Sequence, residues 1–303
     1  LVSFEQERCY SSHDQLQVKE RISTYGIERL TFDSYQEQCA TLGYFNALAP
    51  LRITLNPHDQ VCSLGKGNAY YQRTGTAGGR GVIEFYSHNL PTARIFDIVA
   101  HETGHAILDT LRPDFYGHPA THPYSALHES FGDLSALFAS IKLAKLTNRT
   151  NQETICSFLK GRSFCLAPDF SADGACLRNP ARYNGTSCEA HDHSNYLTNF
   201  VINSMRGTFG QLEETEFNAG WTSDFFQQLL IYTVIKRKQF NSLGAFSQLM
   251  INNVENLLNQ DEDDLHQLIT GVMRNEYNRS PLSMNTCAIN ISRSHRAQSR
   301  YAA

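Results

Sequence analysis

His101 and His105, four residues apart in "FDIVAHETGHAILDTLRP" (96–113), have the types and the spacing for metal-assisted hydrolysis. In a helix, positions i and i+4 project from one face a turn apart, so both imidazoles can aim a nitrogen at one point. Glu102 sits about a hundred degrees round the same helix. There it can face a water on the metal without ligating it, which is the position of a general base. The competing reading is an amphipathic helix that carries two satisfied or exposed imidazoles.

A second segment, "SALHESFGDLSALF" (125–138), holds Glu129 and Asp133, again four apart, with Glu129 24 residues beyond His105. Ala126, Leu127, Phe131, Leu134 and Leu137 give this stretch an apolar side, so it reads as a helix. A catalytic zinc takes three protein ligands plus water, and ligating histidines give their other ring proton to a carboxylate. Glu129 can be the third ligand and Asp133 the acceptor behind a histidine. A solvated acidic helix edge is the alternative for this pair, and its coupling to the first motif argues against it.

These residues resemble the thermolysin-like gluzincin metallopeptidases, with "HETGH" followed by the ExxxD pattern in "HESFGD". The resemblance implies a zinc held by His101, His105 and Glu129, with Asp133 behind the site and Glu102 as base. "NAYY" (68–71), 33 residues before His101, looks like the family's Asn-Ala-aromatic-aromatic edge strand, which implies that Asn68 and Ala69 bind an extended peptide. "LRNPARY" (177–183) resembles the segment whose arginine holds a substrate carbonyl, which assigns Arg178. "HDHSN" (191–195) resembles the segment whose histidine stabilises the tetrahedral intermediate. Alignment through Ser194 selects His191, with His193 as the alternative. The family also carries a catalytic tyrosine between the second histidine and the glutamate: Tyr116 has the better offset from His105, and Tyr124 is nearer Glu129. The Gly-x-Met-Glu-Asn signature of related aminopeptidases is absent. Asp97 matches a family calcium carboxylate, yet the helix after Glu129 continues "SIKLAKLTNRT", without the acidic residues a calcium pair needs. The resemblance covers about residues 65 to 200.

Around these motifs, "PLRITLNP" and "GVIEFYSHN" read as strands, and the glycine-rich turn "GTAGGRG" connects "NAYYQR" to the second of them. Residues 1–92 are therefore expected to form a strand-containing lobe. From Pro91 onward apolar residues recur at three and four: helices are predicted over 92–111, 124–146, 194–206, 221–238, 242–259 and 262–275, with a loop-like stretch near 160–190. The acidic run "DEDD" (261–264) reads as a helix start. His118, His122 and His128 read as surface histidines, with an accessory metal or the cleft lining as their alternative use.

With 303 residues, 41% hydrophobic content and net charge −4, the chain can bury a large core, and its charge gives no reason to expect nucleic acid or a membrane surface. The apolar stretch "FFQQLLIYTVI" (225–235) is too short to span a bilayer and reads as a buried helix. Eight cysteines form no CxxC pair, and the four from Cys156 to Cys188 favour a stapled loop in an oxidising compartment over buried thiols. Three N-x-S/T sequons, at Asn148, Asn184 and Asn290, are short patterns that decide nothing.

The expectation is an α+β, zincin-like fold, with a mixed α/β sheet lobe over 1–110 ending in the HExxH helix and a mainly helical lobe over 111–303. The expected activity is zinc-dependent hydrolysis of internal peptide bonds. The expected partner is a protein or peptide substrate, with no nucleic acid and no membrane; a monomer is expected, secreted or exported from the producing cell, either extracellular or delivered into another cell. The alternatives are a narrow-specificity protease effector acting on one host protein and a catalytically silent zincin-fold binding protein.

Overall fold

The computed structural model describes residues 14–44, 52–58, 69–75, 80–86, 92–147, 159, 189–213, 215–236, 239–258 and 262–280. Asn68, Arg178, the three sequons and every cysteine except Cys39 lie outside them. Cys39 is a buried free thiol whose pKa is pushed up to about 12 by that burial. No helix among the described residues is long and apolar enough to cross a membrane.

Three strands form one small sheet in the order β1 (Arg52–His58), β3 (Arg80–Tyr86), β2 (Ala69–Arg73). β1 runs parallel to β3, and β2 runs antiparallel to it with Tyr71 opposite Ile83. Among the described residues β2 is thus an edge strand. Period-2 alternation turns Tyr71, Ile83 and Phe85 into the core and leaves Tyr70 exposed. Gly81 permits the β2–β3 approach, since a Cβ there would meet the Gln72 carbonyl oxygen at 2.3 Å.

The helices fall where the periodicity put them. They are α2 (Phe96–Leu111), α3 (Pro123–Thr147), α4 (Ala190–Phe209), α5 (Glu216–Lys236), α6 (Leu243–Asn253) and α7 (Asp263–Arg279). Asp263 and Asp264 of the acidic run sit in the first turn of α7, against the positive end of its dipole. The apolar 225–235 stretch lies in α5, where Phe226, Leu229, Leu230 and Ile231 are fully buried.

The N-terminal expectation needs correction. Residues Asp14–Thr41 form a 28-residue helix, α1, where the sequence suggested only strands and turns. The reason is chemical. The buried stripe of α1 includes Thr24, Glu28, Thr31, Ser34, Tyr35 and Gln38, so apolar periodicity is weak although helical spacing is present. Much of that polar stripe is hydrogen-bonded across the core. Thr24 donates to the Ala93 carbonyl at 2.7 Å, Ser34 meets Gln227, and Gln38 accepts from Gln228 at 2.8 Å. Such partners are what make a polar core face tolerable.

α2 is the centre of the molecule: every residue from Ile98 to Asp109 is buried. It crosses α3 at glycines. A Cβ on Gly104 would meet Ser135 Oγ at 2.4 Å and Gly132 Cα at 3.0 Å, and a Cβ on Gly132 would meet the His101 ring at 2.7 Å. The two glycines therefore allow the backbone approach that carries the carboxylates of α3 to the histidines of α2.

Candidate metal centre

His101 and His105 lie on one face of α2, their ring centroids 4.6 Å apart, and both are at least nine-tenths buried. Glu129 reaches them from α3: its Oε2 lies 3.4 Å from His101 Nε2 and its Oε1 lies 3.7 Å from His105 Nε2. Behind them, Asp133 Oδ1 lies 3.0 Å from His101 Nδ1. A proton on Nδ1, facing Asp133, would leave the Nε2 lone pair for a metal, which is the tautomer a ligating imidazole needs. Asp133 itself is fully buried. Glu102 is 6% exposed, and its carboxylate groups with the two imidazoles tightly enough for one ion to be shared. Two imidazoles and a carboxylate form a donor set that suits zinc. The chemistry of the group fits a metal.

α4 contributes the next element. Glu189 is its N-cap and accepts from the backbone N–H groups of His191 and Asp192, which fixes the first turn. The same carboxylate holds the His191 ring, with Oε1 2.9 Å from Nδ1, and turns Nε2 to within 3.4 Å of Glu129 Oε2. His193 points elsewhere. It is 5% exposed with its Nδ1 unpartnered, its ring lies edge-on to Tyr196, and burial pulls its pKa down to about 4. Of the two candidate histidines, His191 is the one brought to the Glu129 carboxylate.

The two candidate tyrosines are also separated. Tyr116 accepts a hydrogen bond at its hydroxyl from the backbone N–H of Arg73, 3.0 Å away at the end of β2, and its ring meets the His128 ring edge-on. Tyr124 is buried among Phe115, Phe240, His118 and His122. Ala69 is the first residue of β2.

Two groups went unrecognised in the sequence. Asp109, one turn beyond His105 on α2, is fully buried and accepts from Tyr71 Oη at 2.7 Å and from Arg73 Nε at 3.0 Å. Its i+4 spacing from His105 was the available signal. Glu189, an N-cap two residues before His191, is the other. The surface reading of the loop histidines is corrected for two of them, since His122 and His128 are buried and burial brings the pKa of each down to about 4. His128 lies against His105, with ring centroids 5.6 Å apart, and walls that side of the site. His118 and His122 stack at 4.3 Å.

No protein-family model matches the chain, and no curated protein matches it in sequence. Among solved structures it is similar to a precursor of protealysin, a metalloproteinase from Serratia proteamaculans. The TM-score is 0.57 at 12% identity, over 90% of this chain and 86% of that one. At that identity the likeness is one of fold: the chain has a metalloproteinase-like α+β fold, mostly helical with a small sheet.

Proposed function

We propose that this protein is a zinc-dependent endopeptidase. The observation that carries the reading is the convergence of His101 Nε2 and His105 Nε2 on the two oxygens of Glu129, at 3.4 and 3.7 Å, with Glu102 buried beside them. His101, His105 and Glu129 hold the ion. The chemistry a zinc ion supplies in such a set is Lewis acidity, which brings water to nucleophilic strength near neutral pH and polarises a carbonyl. The chain's own groups supply the rest. Glu102 accepts the proton of the attacking water and passes it to the departing amine. His191, oriented by Glu189, and Tyr116 donate hydrogen bonds to the carbonyl oxygen as negative charge gathers on it. The edge strand β2 pairs with an extended peptide through main-chain hydrogen bonds, so substrates are held with little regard for sequence at those positions. Export from the producing cell belongs to the same proposal.

A second reading has one observation in its favour. His191 Nε2 is 3.4 Å from the same carboxylate oxygen that faces His101. If His191 were itself a ligand, the site would be closed by four protein groups, as in structural zinc sites, and the protein would bind without cutting.

One experiment addresses both. A mixed peptide library is incubated with the zinc-loaded wild type and with Glu102→Ala, and cleavage is read by mass spectrometry. Internal cleavage by the wild type alone supports the endopeptidase. Absence of cleavage at full zinc occupancy would leave the closed site or a protease specific for one folded protein, and would end the general-endopeptidase reading.

A further inference from the structure

We propose that Arg73 is a positioning residue that holds the Tyr116 hydroxyl at the end of the edge strand, an inference that rests on the endopeptidase reading. Arg73 grips three elements at once. Its Nε lies 3.0 Å from Asp109 Oδ2, and Nη2 pairs with Oδ1 of the same carboxylate, a bidentate fork onto α2. Nη2 also donates to the Pro113 carbonyl at 2.7 Å, three residues before Tyr116. The guanidinium carbon sits 4.5 Å from the centre of the Tyr116 ring, within cation–π range.

The backbone completes the clamp. The Gln72 carbonyl faces β3, so the Arg73 N–H points the other way, to the side of β2 away from β3, and there it donates to Tyr116 Oη at 3.0 Å. At the end of the strand the Arg73 donor is therefore taken by Tyr116. Because the phenol oxygen accepts from Arg73, its own proton is left to be donated, and a substrate oxygen arriving at the end of the strand is the group to receive it. Asp109 ties the assembly to the metal helix one turn beyond His105, and it is satisfied by Tyr71 as well as Arg73. Lysine could not reproduce the fork.

The test combines kinetics with hydrogen exchange. Arg73→Met and Tyr116→Phe are made singly and together, and kcat and KM are measured on one peptide substrate. The expected result is a fall in kcat of about ten- to a hundred-fold for Arg73→Met with KM little changed. That loss largely disappears in the Tyr116→Phe background, because both changes remove the same placed hydroxyl. An equal loss in both backgrounds, or a change confined to KM, would overturn the proposal. Should Arg73→Met fail to fold, Arg73→Lys keeps the charge and loses the fork, and the same non-additivity is expected of it at a smaller size. Exchange of the Arg73 amide needs no catalysis: it is expected to quicken in Tyr116→Phe, and an unchanged rate would show that the hydroxyl is not held there. If the wild type cleaves nothing, the endopeptidase reading fails, while the exchange comparison still decides the clamp.

Discussion

His191 Nε2 and His101 Nε2 stand at the same distance, 3.4 Å, from one oxygen, Oε2 of Glu129. The two rings differ in burial, His191 being 58% exposed at its side chain and His101 4%. In the proposed mechanism an exposed ring held by an N-cap carboxylate is free to turn toward a bound substrate, whereas the buried ring beside Asp133 would stay with a bound metal. His191→Ala is therefore expected to keep zinc at wild-type stoichiometry and to lose about a hundred-fold or more in kcat. Metal content by mass spectrometry beside peptide kinetics checks this, and zinc lost together with activity would favour the closed, four-ligand site.

Asp133→Asn removes the charge behind His101 while keeping its shape. Zinc affinity is expected to weaken about ten- to a hundred-fold, as when an outer partner of a ligating histidine is lost. Competition with a chromogenic chelator measures it. An affinity equal to that of the wild type would detach Asp133 from the metal.

Gly132→Ala should injure the site sterically. A Cβ there would press on His101 Cε1 and Nδ1 at 2.7 Å, so the ring or the helix crossing must shift. The expected outcome is loss of zinc with a destabilisation of about 1–3 kcal/mol and retained helix content. Circular dichroism with metal analysis reads both, and a fully loaded, fully stable variant would contradict the close crossing.

Glu28 gives the fold a pH dependence of its own. Burial raises its pKa from 4.5 to about 7, with Arg29 opposing the rise and Asp33 adding to it. The folded state then binds a proton that the unfolded chain has released, so this group's contribution is complete below pH 4.5 and declines as pH rises through 7. The loss amounts to about 3 kcal/mol by pH 8. Glu28→Gln is expected to raise the melting temperature at pH 8 and leave it little changed at pH 4. A wild type and variant that melt in parallel across this range would show that the carboxyl reaches water.

Spacing alone carried much of the site. His101, Glu102, His105 and Glu129 were legible because helical geometry turns an interval of three or four residues into a shared face, and the crossing of α2 with α3 brings those faces together. The strands around Ile53 and Ile83 were legible from alternation and turns, and the one around Tyr71 from the resemblance. Helix α1 was not, because beside Phe32, Tyr35 and Cys39 its described buried positions are two threonines, a serine, a glutamate and a glutamine, and the partners of Ser34 and Gln38 lie far along the chain. Which histidine of "HDHSN" faces the carboxylate was likewise hidden. It depends on where α4 begins, and the Glu189 cap that fixes this is a glutamate, outside the residue types most expected at an N-cap. Tyr116 and Tyr124 were separated only by the loop that packs Tyr124 against Phe240 of a later segment.

Tyr35 of α1 meets Ser135 of α3 at 2.9 Å beneath Gly104, yet the seat that receives α1 is completed by Gln227 and Gln228, some 190 positions further on. Contacts so distant in sequence are closed late, since the loop entropy must be overcome before the contact is gained. During synthesis the ribosome will have released both histidine-bearing and carboxylate-bearing helices long before α5 emerges. Until then the flank of α2 that α1 covers has no lasting cover, so metal captured by the nascent chain would sit in a half-built site. The setting of the site is complete only once α5 is in place, although His101, His105 and Glu129 all precede it in the chain.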